Sequence, residues 1–264
     1  MKIKLLNPLV HPFNTQHTLP CLRNNLTFVN DSDDNFDIGL VLDPAANITT
    51  FRQCLQKAYD CKQKNRPVVY IVYDPFGFAG PDIFIKNNLL DKIVLFDKQF
   101  KDRFPTVETI ISEYVMNEAL FPDKVPVKTG NLCYYGHLGL NRKLPPNTVQ
   151  LKNEHTDIPI TFDSLIAEDF KKLFRTVSTY HGSVIVPSGR DEAGNGILYH
   201  NKGKIVEALM SGTTPYVTNK IESITYQNYI NFDINISPKV INISEIRKIN
   251  QKNIAKLCKV ITNK

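Results

Sequence analysis

Residues 183–217 read SVIVPSGRDEAGNGILYHNKGKIVEALMSGTTPYV, an apolar run, a polar loop, a helical pattern and a second apolar run in that order. Ser183 to Val186 predicts a strand, Lys202 to Ser211 a helix ended by Gly212, and Pro215 to Thr218 the next strand. Parallel neighbours in a sheet need a crossover between them, and a helix is the usual one. The stretch is therefore an α/β unit.

The same alternation runs outward from it. Toward the N-terminus, strands are expected at Lys2 to Leu6, Leu26 to Val29, Asp37 to Leu42, Lys92 to Phe96 and Val107 to Ile111. Thr50 to Lys62 carries Phe51, Cys54, Leu55 and Ala58 on one helical face and leads into Val68 to Tyr73, whose unbroken apolarity predicts a strand buried on both sides. Phe121 to Gly130 holds two prolines and a glycine without helical or strand period, as a linker does. Beyond it we expect strands at Leu132 to Tyr135, Thr148 to Leu151 and Ile158 to Phe162. Helices are expected from Ser164 to Val177 and from Ser244 to Ile261. Two α/β domains follow, residues 1–121 and 131–264, the C-terminal helix being free to pack back on the first.

Composition narrows the class. The chain has 264 residues, 42% hydrophobic and 22% charged, which suits globular domains and excludes a disordered or collagen-like chain. A formal charge of +6 is compatible with phosphate-bearing partners and equally with plain solubility. The five cysteines are scattered, with no Cys-x-x-Cys pair, and read as reduced thiols of a cytosolic chain. Lys2 and Lys4 precede only a short apolar stretch cut by Asn7 and Pro8, so no secretory signal is expected, and no apolar run is long enough for a membrane span.

Chemistry concentrates in three places. Lys202 and Lys204 stand in the first helical turn of the quoted stretch, where the helix dipole disfavours cations by about 0.3–1 kcal/mol each and favours anions. A phosphate there would gain free N–H groups and ammonium charge together, with Gly203 allowing close approach; two solvated lysines are the plainer alternative. Glu207 shares a helix face with Lys204, where it can hold a ribose diol or simply pair with that lysine. The second place is residues 132–143, LCYYGHLGLNRK, a strand running into Gly136 and Gly139 and then the basic pair Arg142 and Lys143. Glycines remove obstruction and Arg142 can grip oxygens bidentately, although a tight turn with ordinary surface charges explains the pattern as well. The third is Asp74, at the end of the strand beginning at Val68. There it can act as a general base or merely cap a turn. His11 and His17, in the loop after the first strand, are secondary candidates for the base; loop histidines are more often solvated.

Glu207-Ala208-Leu209-Met210-Ser211-Gly212 followed by Thr214-Pro215-Tyr216-Val217 resembles the Glu-Ala-x-x-x-Gly helix and Thr-Pro-x-Val strand of glycosyltransferases with the GT-B fold. The spacing of Lys204 and Glu207 is also similar to the matching helix in the DNA glucosyltransferases of T-even phages. An aspartate after an aromatic-rich strand, here Asp74, resembles those enzymes too. The resemblance implies two Rossmann-like domains facing across a cleft, the first serving the acceptor and the second the donor, a nucleoside diphosphate sugar expected to be UDP-linked. Glu207 would hold the ribose, Gly136, Arg142, Arg190, Lys202 and Lys204 would meet the diphosphate, and Asp74 would be the base. Many retaining members carry a further glutamate where this chain has Tyr199; Asp191 and Glu192 lie farther upstream.

The expected activity is therefore transfer of a sugar to a hydroxyl in the cytoplasm, the host cytoplasm if the chain is viral. Candidate acceptors are a hydroxymethylated base in double-stranded DNA and, in competition, a glycan or a protein. Cationic side chains can neutralise the leaving diphosphate, so no cofactor or metal is required, and an auxiliary Mg2+ stays open. A non-catalytic scaffold with this fold and a nucleotide-sugar epimerase are the alternatives.

Overall fold

The computed structural model describes residues 1–7, 12–43, 48–72, 79–136, 144–152, 167–186, 202–217 and 226–263. The chain forms two compact units, one of residues 1–113 with 252–264 and the other of residues 114–251. Among the described residues each is built on a parallel sheet, so both units are α/β.

In the first unit the strands are β1 (Lys2–Leu5), β2 (Thr27–Phe28), β3 (Ile38–Leu42), β4 (Val68–Val72), β5 (Lys92–Leu95) and β6 (Glu108–Ile111), in the spatial order β2-β1-β3-β4-β5-β6. Central β3, β4 and β5 are buried along their whole length, as the unbroken apolar sequences of β3 and β4 require; β5 is apolar after the buried Lys92. Crossovers supply the covering layers. Between β1 and β2 run α1 (Pro12–Gln16) and α2 (Thr18–Arg23); α3 (Ile48–Gln63) joins β3 to β4, and α4 (Ala79–Lys86) joins β4 to β5. Cys54, Ala58 and Cys61 form the buried face of α3, while Phe84 of α4 meets the Tyr70 ring edge-on at 5.4 Å.

The sequence reading left residues 12–23 and 79–86 outside helices. Pro12, Pro20 and the Gly80-Pro81 pair look like loop punctuation, but Pro12 and Pro81 fall in a first helical turn, where the absent N–H has no partner to lose. A consequence concerns His17. Instead of lying solvated in a loop, it sits fully buried between α1 and α2, and desolvation lowers its pKa to about 3. The expected strand at Ile158 to Phe162 lies outside the described residues.

The second unit has β7 (Thr129–Tyr134), β8 (Thr148–Gln150), β9 (Tyr180–Ile185) and β10 (Thr214–Val217) in the order β10-β9-β7-β8, with α5 (Ala167–Ser178) before β9 and α6 (Lys202–Met210) between β9 and β10. Phe170, Leu173, Phe174 and Val177 bury one face of α5, and Phe121 stacks on Phe174 at 4.3 Å. Gly212 ends α6 at φ +69°, with Gly212 N–H donating to the Leu209 carbonyl and Thr213 N–H to the Ala208 carbonyl, a Schellman closure. Lys128 donates to the Ser178 and Gly212 carbonyls at 2.7 and 2.8 Å, placing a cation at the carboxyl ends of α5 and α6. The proline-containing stretch 121–130 thus belongs to this unit.

The last helix, α7 (Ile243–Thr262), contributes to both units. In the second unit the Asn250 side chain accepts from Met116 N–H and donates to the Met116 carbonyl, both at 2.9 Å. In the first, the buried Lys92 donates to the Val260 and Asn263 carbonyls at 3.2 and 2.8 Å.

Candidate functional site

Ligands of open parallel sheets bind outside the carboxyl ends of the strands, where successive connections leave in opposite directions. The strand orders fix these places. In the first unit the reversal lies between β1 and β3, and in the second between β7 and β9.

At the second of these points β7 ends at Tyr134 and is followed by Tyr135 and Gly136, all three buried. The helix following β9 brings Lys204 and Glu207 to them. Lys204 Nζ donates to the Tyr135 carbonyl at 2.8 Å and stands 5.4 and 5.3 Å from the Tyr134 and Tyr135 ring centroids. One turn on, the Tyr135 hydroxyl donates to Glu207 Oε2 at 3.0 Å. Tyr135 is thus held at both ends by α6.

Gly136 suits its place in two ways. Its φ is +128°, which disfavours any side chain, and a Cβ would collide with Lys204 Nζ and reach the Tyr134 hydroxyl at 3.4 Å. The glycine therefore makes room for the lysine head itself. Gly203, in the first turn of α6, is buried as well.

The electrostatics are those of a charge pair enclosed in protein. Burial pushes the Glu207 carboxyl above the ordinary carboxylate range, opposed by the Lys204 charge and the Tyr135 hydrogen bond. Burial pulls Lys204 down, opposed by Glu207. The Tyr135 hydroxyl is pushed well above its usual value by burial and then by the Glu207 charge. Glu207 has no exposed surface, whereas Lys204, though its ammonium is enclosed, keeps part of the residue accessible, as does Lys202.

Of the residues expected to act on a donor, Gly136, Lys204 and Glu207 are brought together here and Lys202 opens the same helix. Asp74, Arg142 and Arg190 lie outside the described residues, as do His11, Asp191, Glu192 and Tyr199. Tyr135 is the participant that sequence reasoning quoted without giving it a task. Its signal was an aromatic residue with a polar tip at a buried strand end, just before a glycine.

At the first reversal point a carboxylate, Asp43 just past β3, also bonds a tyrosine hydroxyl, that of Tyr70, but the strand ends are joined differently. Asn7 follows β1, and its side-chain amide donates to the Leu42 carbonyl while accepting from Leu42 N–H at 2.9 Å, so it continues the ladder between β1 and β3 with a side chain. Among the described residues no cluster of His, Cys, Asp or Glu side chains could hold a metal ion, and no helix is long and apolar enough to cross a membrane. Compared with known proteins, the chain matches no family model and no curated protein.

Proposed function

We propose that the protein is a nucleotide-sugar-dependent glycosyltransferase whose donor is held at the carboxyl edge of the four-stranded sheet, on Lys202, Lys204 and the Gly136 turn. One observation carries this reading: a lysine and a glutamate are buried together at the place where parallel sheets take their ligands. A buried pair of this kind adds little or no stability over apolar side chains of the same size, so its presence calls for a chemical task.

In this reading the first unit is the acceptor half and the second the donor half of a GT-B enzyme. The acceptor oxygen attacks the anomeric carbon as the bond to the diphosphate breaks. The proton leaves to a carboxylate, for which Asp74 is the candidate. Negative charge grows on the departing diphosphate, so cations at the α6 tip contribute most in the transition state. Lys204 exchanges its bond to the Tyr135 carbonyl for one to a phosphate oxygen, a charge-assisted bond of the stronger kind. Glu207 holds the ribose once the Tyr135 hydroxyl gives way to it, and until then it keeps Lys204 and Tyr135 in place. Arg142 and Arg190 complete the anion site, and a hydroxymethylated base in DNA is the first acceptor to try.

The enclosed state of Glu207 equally favours a second reading, a binding protein that keeps the fold without the reaction. Two measurements separate them. A nucleoside diphosphate sugar at 100 times its dissociation constant should raise stability by about 2.7 kcal/mol, and Lys204→Met should remove the shift. Donor hydrolysis or transfer, lost in a folded Glu207→Gln variant, establishes the enzyme; a thermal shift with no turnover of any donor establishes the binding protein; no shift with any nucleotide sinks both.

A further inference from the structure

The net charge of the chain has a single address. It carries 32 basic and 26 acidic side chains, yet residues 246–264 contain six basic side chains and no acidic one, so the preceding 245 residues carry 26 of each. Most of that excess is on α7. Lys248, Lys252, Lys256 and Lys259 are all exposed, and at i, i+4, i+8 and i+11 they share about 80° of the helix surface over about 17 Å of its length.

Two further observations turn this excess into a surface. Several basic side chains elsewhere have acidic partners: Lys57 pairs with Asp31 at 2.5 Å, Lys62 with Asp91 at 2.7 Å and Arg103 with Asp82 at 2.6 Å. None of the four lysines has a carboxylate partner among the described residues. Glu245 is the helix's one acid, and it is engaged by Tyr229. Secondly, the opposite face of α7 is already used, with Ile246, Ile254, Leu257 and Ile261 buried in the protein.

We propose that this face of α7 docks on the phosphate backbone of duplex DNA without reading its sequence. Four ammonium groups in a row match a line of phosphates, and each contact releases counterions. A single strand is disfavoured because residues 243–264 contain no aromatic side chain on which bases could stack. Base reading is disfavoured because Arg247, the helix's one guanidinium, is bonded to Asp123 and to the Pro122 carbonyl, both at 3.1 Å. An anionic membrane is disfavoured because the apolar face that would enter lipid is occupied. The surface gives a DNA acceptor somewhere to sit, yet it stands on the charge distribution alone and does not depend on sugar transfer.

The test is fluorescence anisotropy of an unmodified 20-base-pair duplex with the full chain, from 50 to 200 mM salt. Four contacts predict a log–log slope of about −3.6, a loss of roughly 100-fold over that range. Replacing Lys252 and Lys256 with Gln should lower the slope by about 2, and replacing all four lysines should abolish binding with the melting temperature unchanged. Absence of duplex binding by the native chain, an unchanged slope in the fourfold variant, or tighter binding of a single strand of equal length would each overturn the proposal. So would binding to phosphatidylserine vesicles, but not duplex, that the same substitutions remove. Thermal shift with UDP-glucose on the fourfold variant keeps the two proposals apart: duplex binding lost with the native chain's donor shift intact supports this one. Duplex binding in a chain that recognises no nucleotide leaves this one standing and the transferase reading refuted.

Discussion

The two sheets solve the same topological problem with different side chains. Where connections reverse in the first unit, a neutral amide, Asn7, extends the hydrogen-bond ladder from β1 to β3, and the nearby helices bury an uncharged histidine. Where they reverse in the second, a lysine and a glutamate clasp the end of β7. The neutral solution satisfies backbone groups, and the carboxylate beside it, Asp43 one residue past β3, is engaged by the Tyr70 hydroxyl. The charged one stores two groups whose protonation and partners can change, which is what a binding site requires and a mere core does not.

The contrast should appear most strongly in acid. His17 has a folded pKa lowered from 6.5 to about 3, so the unfolded chain binds more protons between those values and stability falls as pH drops through that window. The loss should approach 4 to 5 kcal/mol, order-of-magnitude, for the first unit. Amide hydrogen exchange, which reads the two sheets separately, should show β1 and β3 opening as pH falls, and His17→Leu should flatten that response. Glu207 has the opposite sign. Its folded pKa is raised, so its contribution is full below the unfolded value near 4.5 and is lost as pH rises toward and through the raised one. Glu207→Ala, which strands Lys204 and Tyr135, should cost the second unit about 3–5 kcal/mol. Glu207→Gln should cost less and remove the pH slope of β7 and β9 exchange. An unchanged slope would show that another group titrates there.

How much of this was legible in the sequence depends on the range over which each feature is decided. Val68–Val72 and Ile38–Leu42 announced themselves because a strand buried on both faces needs no partner to be recognised. The α6 boundaries were equally local, a polar loop before Lys202 and Gly212 after the last turn. The short α1 and α2 were hidden because Pro12 and Pro20 read as breakers until the N-terminal position of Pro12 is known, and with them went the burial of His17. At the candidate site, Gly136, Lys204 and Glu207 could be named but not joined. Their contacts span about 70 residues of chain, and no spacing rule foretells that a lysine head will lie over that glycine. Asn7 was read only as an interruption of an apolar stretch, for the same reason.

Asn7 offers the next smaller test. Asn7→Leu keeps the volume but deprives Leu42 N–H and C=O of their partners, which should cost about 2–3 kcal/mol and loosen the β3 end without touching the second unit. A variant equally destabilised in both sheets would mean that the two reversal points are not independent.

The finest test lies at Gly136, where two causes are superimposed. The φ of +128° penalises any side chain, at about 1–3 kcal/mol, and a Cβ would also push the lysine head from its place. Gly136→Ala should therefore carry both penalties in the native chain but only the backbone one in a Lys204→Ala background, where the head is gone. The interaction energy of that cycle should be of order 1 kcal/mol, measured by urea denaturation followed through tyrosine fluorescence. If the two substitutions add, the lysine leaves Gly136 in solution and the enclosed pair is not the resting state. If they couple, the glycine is there for the ammonium, and any anion recruited by Lys204 must compete with the Tyr135 carbonyl for it.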